Sequence, residues 1–240
     1  MCGIVGYIGN QQAAPILLDG LSKLEYRGYD SAGIAVYDGE KINMTKSRGR
    51  LKVLSEMTQD GNSMPGVLGI GHTRWATHGE PSDVNAHPHF NKAETIAVVH
   101  NGIIENYLKL KKKLIAKGYE FISETDTEVI AHLLDYYYKG DPLEAISKVL
   151  GRVRGSYALG ILFQDVPGTL YAVRKDSPLI IGKSEQGNFI ASDVPAILKY
   201  TRNVYYIGNL EMARVRKGEI TFYNLDGDEV QKEAKTIEWD

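Results

Sequence analysis

Strand-like runs occupy both ends of this 240-residue sequence, and three helical segments lie together between them. That segregation points to antiparallel sheets covered by helices, an α+β fold, rather than to alternating βαβ units. Residues 3–8 read as a strand, after which Ala14, Leu17, Leu18, Leu21 and Leu24 keep helical spacing until Arg27-Gly28. Strands at 31–37 and 41–47 flank the turn signal Asp38-Gly39, and strands at 67–72 and 96–100 enclose a long loop rich in His, Pro, Gly and Asn. Helices are predicted over 107–117, closed by Gly118, and from Thr125-Asp126-Thr127-Glu128, which has the form of a capping box, to Tyr138. A third starts at Asp141-Pro142, with Leu143, Ile146, Val149 and Leu150 as its apolar face. Short strands follow Gly155, with Lys217-Gly218 and Asp226-Gly227 as turns. No repeat, low-complexity tract or linker divides the chain, so residues 1–240 read as one domain.

The charge balance excludes several functions. With 28 basic and 30 acidic residues the net charge is −2, which gives no electrostatic footprint for nucleic acid or an anionic membrane. The densest basic run, Lys109, Lys111, Lys112, Lys113 and Lys117, alternates with Leu110 and Leu114 and reads as the solvated face of an amphipathic helix. No run approaches the roughly 18 apolar residues that a membrane span needs. Residues 1–18 carry no side-chain charge, but they lack a basic start and are interrupted by Asn10-Gln11-Gln12 and Pro15, unlike a signal peptide. The single cysteine rules out an internal disulfide and fits a reducing cytoplasm.

That cysteine is residue 2, in Met1-Cys2-Gly3-Ile4-Val5-Gly6. Removal of Met1 would place the thiol and a free α-amine on one carbon, and an amine of pKa roughly 7.7–8.0 is well placed to accept the thiol proton. The competing reading is a small apolar residue that begins a buried strand; the position favours the nucleophile. Five of the six histidines (His72, His78, His87, His89 and His100) fall within 72–100, but there is no HExxH pair and the cysteine is distant, which argues against zinc. Gly28-Tyr29-Asp30-Ser31-Ala32-Gly33 precedes a strand and is no nucleophile elbow, and Gly66–Gly71 leads to no helix N-terminus, so both read as structural. Three further segments suit cysteine acyl transfer. His100-Asn101-Gly102 offers an Asn amide and a Gly N–H for an oxyanion, or is a simple turn. Arg74 offers a carboxylate clamp or a surface ion pair, and Asp126 an ammonium acceptor or a helix cap. Together they describe a site for an amino acid with a carbonyl in its side chain.

Met1–Gly6, Leu24–Gly33, His72–Gly79, Asn85–Pro88, His100–Gly102 and Ser123–Glu128 occur in the order found in one family. Across the whole 240 residues the chain resembles the glutaminase domain of the glutamine–fructose-6-phosphate aminotransferase (glucosamine-6-phosphate synthase) family, a class II glutamine amidotransferase. The resemblance implies an N-terminal-nucleophile hydrolase fold, a four-layer αββα sandwich with two stacked antiparallel sheets. It implies that Cys2, with Met1 removed, attacks the side-chain amide of L-glutamine with its own α-amine as base, while the Asn101 amide and Gly102 N–H hold the oxyanion. Arg74, helped by Thr77 and His78, would pair with the substrate carboxylate and Asp126 with its ammonium. Arg27 and Gly28 would line the nucleophile's surroundings, and Trp75 and His87 would serve loop closure and communication with the synthase partner. Residues Arg74–Glu80 would form a lid.

The same resemblance implies no metal or organic cofactor, and a full-length enzyme that is a cytoplasmic homo-oligomer. Fructose 6-phosphate would be engaged only through a sugar-isomerase half, which has no counterpart in these residues, so the chain is expected to act only as a glutaminase. With Met1 retained, little activity is expected. The rival readings are another class II amidotransferase and a non-catalytic glutamine sensor; occupation of every expected site position argues against the sensor.

Overall fold

The computed structural model describes residues 2–238, so the expected loss of Met1 concerns a residue outside that range. The first elements are β1 (Gly3–Gly9), α1 (Ala13–Ser22), β2 (Ser31–Tyr37), β3 (Ile42–Arg48), α2 (Leu51–Met57), β4 (Leu68–Arg74), β5 (His89–Phe90) and β6 (Ile96–Ile104). Then come α3 (Tyr107–Ala116), α4 (Thr127–Tyr137) and α5 (Pro142–Leu150). They are followed by β7 (Gly155–Phe163), β8 (Leu170–Lys175), β9 (Ile180–Ser184), β10 (Gly187–Ala191) and β11 (Asn203–Tyr206). The last strands are β12 (Glu211–Arg216), β13 (Glu219–Tyr223), β14 (Glu229–Val230) and β15 (Lys235–Thr236).

The strands form two antiparallel sheets, in the orders β15-β11-β9-β10-β1-β4-β2-β3 and β14-β13-β12-β8-β7-β6-β5. β1 shows why they stack. It is buried along its whole length, and its side chains alternate between the two faces of the first sheet. Val5 and Tyr7 pack under α1 and α2 with Leu17, Leu21, Leu24, Leu51 and Leu54. Ile4 and Ile8 turn the other way, into a layer with Ile70, Val99, Leu162 and Ile190 that joins the sheets. On the far side of the second sheet, Val98, Leu159 and Ile161 meet Leu110, Val129, Ile146 and Val149 of α3, α4 and α5. The result is helix, sheet, sheet, helix, with each fully buried leucine or isoleucine contributing about 1.5–3 kcal/mol of transfer free energy.

α3 buries Leu110 and Leu114 as its spacing predicts. At the start of α5 the Asp141 carboxylate accepts the N–H groups of Leu143 and Glu144. α4 departs from expectation, because its capping box does not form. Asp126 occupies the N-cap position without capping, and its Oδ2 accepts the Ile104 N–H at 2.8 Å. Glu128 instead takes Ser123 N–H at 2.7 Å, Ser123 Oγ at 2.6 Å, Ile122 N–H at 3.0 Å and His132 Nε2 at 2.9 Å. A carboxylate this deeply buried needs that many donors, which outweighs one helix cap. Burial alone would raise the Glu128 carboxyl; His132, Ser123 and the Ile122 N–H together hold it below its ordinary value.

The long connection from β4 to β5 carries several expected site residues and is tied down by polar contacts. Lys46 Nζ donates to the carbonyls of Val84, Ala86 and Pro88 at 3.1, 2.8 and 3.0 Å. Asn85 donates to Glu80 O at 2.9 Å and accepts the Glu124 N–H at 2.9 Å. Gly33 lets this loop lie against β2, since a Cβ there would stand 2.1 Å from the His87 carbonyl oxygen.

Candidate active site

Cys2 lies at the head of β1, beside β4 on one side and β10 on the other. The start of β1 is fixed by Ser192, whose Oγ accepts the Ile4 N–H at 2.9 Å and whose N–H reaches Ile4 O at 3.0 Å. The thiol sulfur accepts the Trp75 N–H at 3.2 Å and lies 3.7 Å from the Trp75 carbonyl oxygen. Burial pushes the Cys2 thiol above its ordinary pKa, an effect the Trp75 N–H partly offsets. Near neutral pH the sulfur is therefore a thiol, and an attack by it requires a base.

The second sheet supplies the oxyanion candidates. β6 faces β1 and β4 across the sandwich, and Asn101 Nδ2 donates to the Cys2 carbonyl at 3.2 Å. That uses one of the two amide protons and leaves the other for a second acceptor. Gly102 has φ +112°, and a Cβ there would lie 2.2 Å from Ser156 O, so the position admits only glycine.

Arg74 ends β4, and its guanidinium is buried. Nη1 donates to Glu80 O at 3.2 Å, and Nη2 donates to Gly79 O at 3.1 Å and to His78 O. These bonds engage three of the five guanidinium N–H groups and shape the 78–80 turn around the cation. Burial lowers the Arg74 pKa, countered by the nearby carboxylates of Asp30, Asp126 and Glu124. A buried guanidinium and several carboxylates thus share one neighbourhood with the thiol. Asp126 keeps one oxygen on Ile104 N–H, so neither a cap nor an exposed ion pair accounts for these two residues.

The remaining expected residues separate. Thr77 Oγ1 lies 3.3 Å from His78 Nδ1, and the His78 ring meets Tyr107 edge-on at 4.7 Å. Trp75 meets the thiol through its backbone, while the residue as a whole is 53% exposed. Arg27 pairs with Asp193 at 3.6 Å, and Gly28 lies 4.0 Å from the Trp75 ring, measured from the Cβ it lacks. His87 lies in a buried histidine cluster, where its ring stacks on His72 (ring centroids 4.1 Å) and meets His89 edge-on (4.9 Å). Among the described residues no group of three or more His, Cys, Asp or Glu side chains is arranged to hold a metal ion.

Two residues carry weight that the sequence reading did not give them. Asp30 Oδ2 accepts the Ala76 N–H at 2.7 Å and its own N–H donates to Arg74 O at 2.7 Å, so it anchors the loop that touches the thiol. Asp30 lies in Leu24–Gly33, a segment that carries the family resemblance but in which residue type and spacing assign Asp30 no role. His72 contacts Asn101 and is taken up below.

Residues 72–199 match the sequence profile of a glutamine amidotransferase domain. The chain is 60% identical over 240 residues to the glutamine–fructose-6-phosphate aminotransferase (isomerizing) of Caldanaerobacter subterraneus subsp. tengcongensis and 59% identical to that of Clostridium acetobutylicum. Each alignment covers the whole chain but 39% of the relative, so the chain spans about two fifths of their length. Among solved structures, the glutamine phosphoribosylpyrophosphate amidotransferase of B. subtilis superposes with a TM-score of 0.79 at 28% identity, covering 93% of this chain and 49% of that one. A glutamine aminotransferase class-II domain protein from Silicibacter pomeroyi shares the fold, with a TM-score of 0.65 at 18% identity over 93% of this chain and 99% of its own. The sandwich is therefore the N-terminal-nucleophile amidotransferase architecture expected from the resemblance, and the chain belongs to the glutamine amidotransferase domain family.

Proposed function

We propose that this domain hydrolyses L-glutamine to glutamate and ammonia through a γ-glutamyl thioester on Cys2. The observation that carries the reading is the meeting of Cys2 and Asn101 from opposite sheets, with an amide proton left over beside the nucleophile. The thiol proton passes to the α-amine freed by loss of Met1, and the sulfur attacks the substrate's side-chain carbonyl carbon. The C=O electron pair becomes an oxyanion that the second Asn101 N–H and the Gly102 N–H receive. Collapse of this intermediate breaks the C–N bond, and the ammonium proton leaves with the nitrogen as ammonia. Water then attacks the thioester, giving glutamate and restoring the thiol. Arg74, with Thr77 and His78, binds the α-carboxylate through its two remaining N–H groups, and Asp126 takes the α-ammonium. A ligand lacking either charge leaves its partner buried and unpaired, which explains selectivity for a free amino acid.

In the longer protein the ammonia is delivered to fructose 6-phosphate for glucosamine 6-phosphate synthesis, a reading supported by the names of the relatives at 59–60% identity. The single cysteine and balanced charge support a cytoplasmic protein, which in full length would be a homo-oligomer. The test is glutamate release by protein verified by mass to begin at Cys2. Turnover is expected, with a loss of about 10³-fold or more in Cys2→Ala. Equal turnover by Cys2→Ala, or by protein verified to keep Met1, would refute the mechanism.

A further inference from the structure

We infer that His72 is a positioning residue for this reaction: its Nε2–H fixes the orientation of the Asn101 amide and so aims the Asn101 NH2 group at the nucleophile. The inference rests on the role proposed above for Asn101. His72 lies on β4, fully buried, and reaches across the sandwich to β6. Its Nε2 is 2.9 Å from the His100 carbonyl oxygen and 3.0 Å from Asn101 Oδ1. A backbone carbonyl can only accept, so the contact with His100 requires the proton on Nε2. An N–H at that position can meet only an acceptor on Asn101, which turns the side-chain oxygen toward His72 and the NH2 toward Cys2. The flipped amide would oppose N–H to N–H at His72 and oxygen to oxygen at Cys2, replacing two hydrogen bonds with two repulsions.

The other ring nitrogen fixes the tautomer. His72 Nδ1 is buried and has no hydrogen-bond partner among the described residues. The ring stacks on His87 at 4.1 Å between centroids and 9° between planes. A doubly protonated ring would bury an N–H without an acceptor, and burial pushes the His72 pKa down to about 3. The neutral Nε2–H form is therefore the one present wherever the thiol chemistry operates. His72 also ties the sheet that carries the nucleophile to the sheet that carries the oxyanion donor, so their separation is set by a hydrogen bond as well as by packing.

The test compares His72→Phe, which keeps a ring and loses the donor, with His72→Gln, which can present an amide N–H, in protein beginning at Cys2 and checked for folding by circular dichroism. His72→Phe is expected to lower kcat for glutamine about 10²-fold, the effect of losing one oxyanion donor, with KM changed less than about threefold. His72→Gln is expected to recover about tenfold of that loss, and in an Asn101→Ala background His72→Phe is expected to cost less than about twofold. A folded His72→Phe with the parent kcat, a Gln variant no better than Phe, or an undiminished Phe effect on Asn101→Ala would overturn the inference. The 15N shifts of His72 give a readout without turnover: an Nε2–H tautomer is expected, and an Nδ1–H tautomer contradicts it. A parent protein that releases no glutamate would defeat the proposed function, whereas an Nδ1–H tautomer would defeat this inference alone.

Discussion

Asn101 and Gly102 are neighbours with different vulnerabilities. Asn101→Ala removes a donor and leaves the backbone of β6 intact, so kcat should fall about 10²–10³-fold with little change in KM or melting temperature. Gly102→Ala places a Cβ 2.2 Å from Ser156 O at φ +112°, so stability and activity should fall together. Calorimetry beside steady-state kinetics separates the two. Arg74→Lys keeps the charge and loses the planar fork that binds the 78–80 turn and, in the proposed site, the substrate carboxylate, so kcat/KM should drop about 10–100-fold, chiefly through KM. An unchanged KM would remove Arg74 from substrate binding. The buried histidines predict a pH effect on the fold itself. His72, His87, His89 and His100 all have pKa values lowered by burial. The unfolded chain then binds more protons below pH about 6.5, so stability is full above that pH and is lost as pH falls toward the folded values. Each histidine adds a slope approaching about 1.4 kcal/mol per pH unit. Urea unfolding between pH 7 and 5 should show a slope of several proton equivalents; a flat profile would contradict a buried, neutral histidine cluster.

The two acidic helix starts make a useful contrast. Asp141 caps α5 as its sequence predicts, and Asp141→Ala should cost about 1 kcal/mol in urea unfolding with glutamine turnover unchanged. Asp126 sits at the equivalent place on α4 and does not cap, so its carboxylate is available for another task. Local pattern identified both positions, but only the packing of Ile104 and the demands of buried Glu128 decide which becomes a cap. β1, α1, the hairpin of β2 and β3, α3 and the late strands were legible because their apolar periodicity is long and regular. α2 was not, since only Leu51 and Leu54 are buried over seven residues, and β5, β14 and β15 are two-residue edges without a period. Site residues near Cys2 stood out by residue type. Asp30 and His72 did not, because their partners, Ala76 and Asn101, become neighbours only when β2, β4 and β6 come together.

Across the whole molecule, the sandwich brings the cysteine at the start of one sheet to an amide donor in the other, and the loop from β4 to β5, whose Trp75 N–H meets the thiol, is tied down through Asp30, Lys46 and Asn85. Stacking the sheets is thus what assembles the chemistry. The central claim is that Cys2, freed at its amine, is a nucleophile aimed at the side chain of a charge-anchored amino acid. Intact-mass analysis before and after incubation with 6-diazo-5-oxo-L-norleucine, a thiol-alkylating glutamine analogue, tests it most directly. Protein beginning at Cys2 should gain one adduct, mapped by peptide digestion to Cys2 and suppressed by excess L-glutamine. Protein beginning at Cys2 that gains no adduct, or gains it elsewhere, would contradict the account.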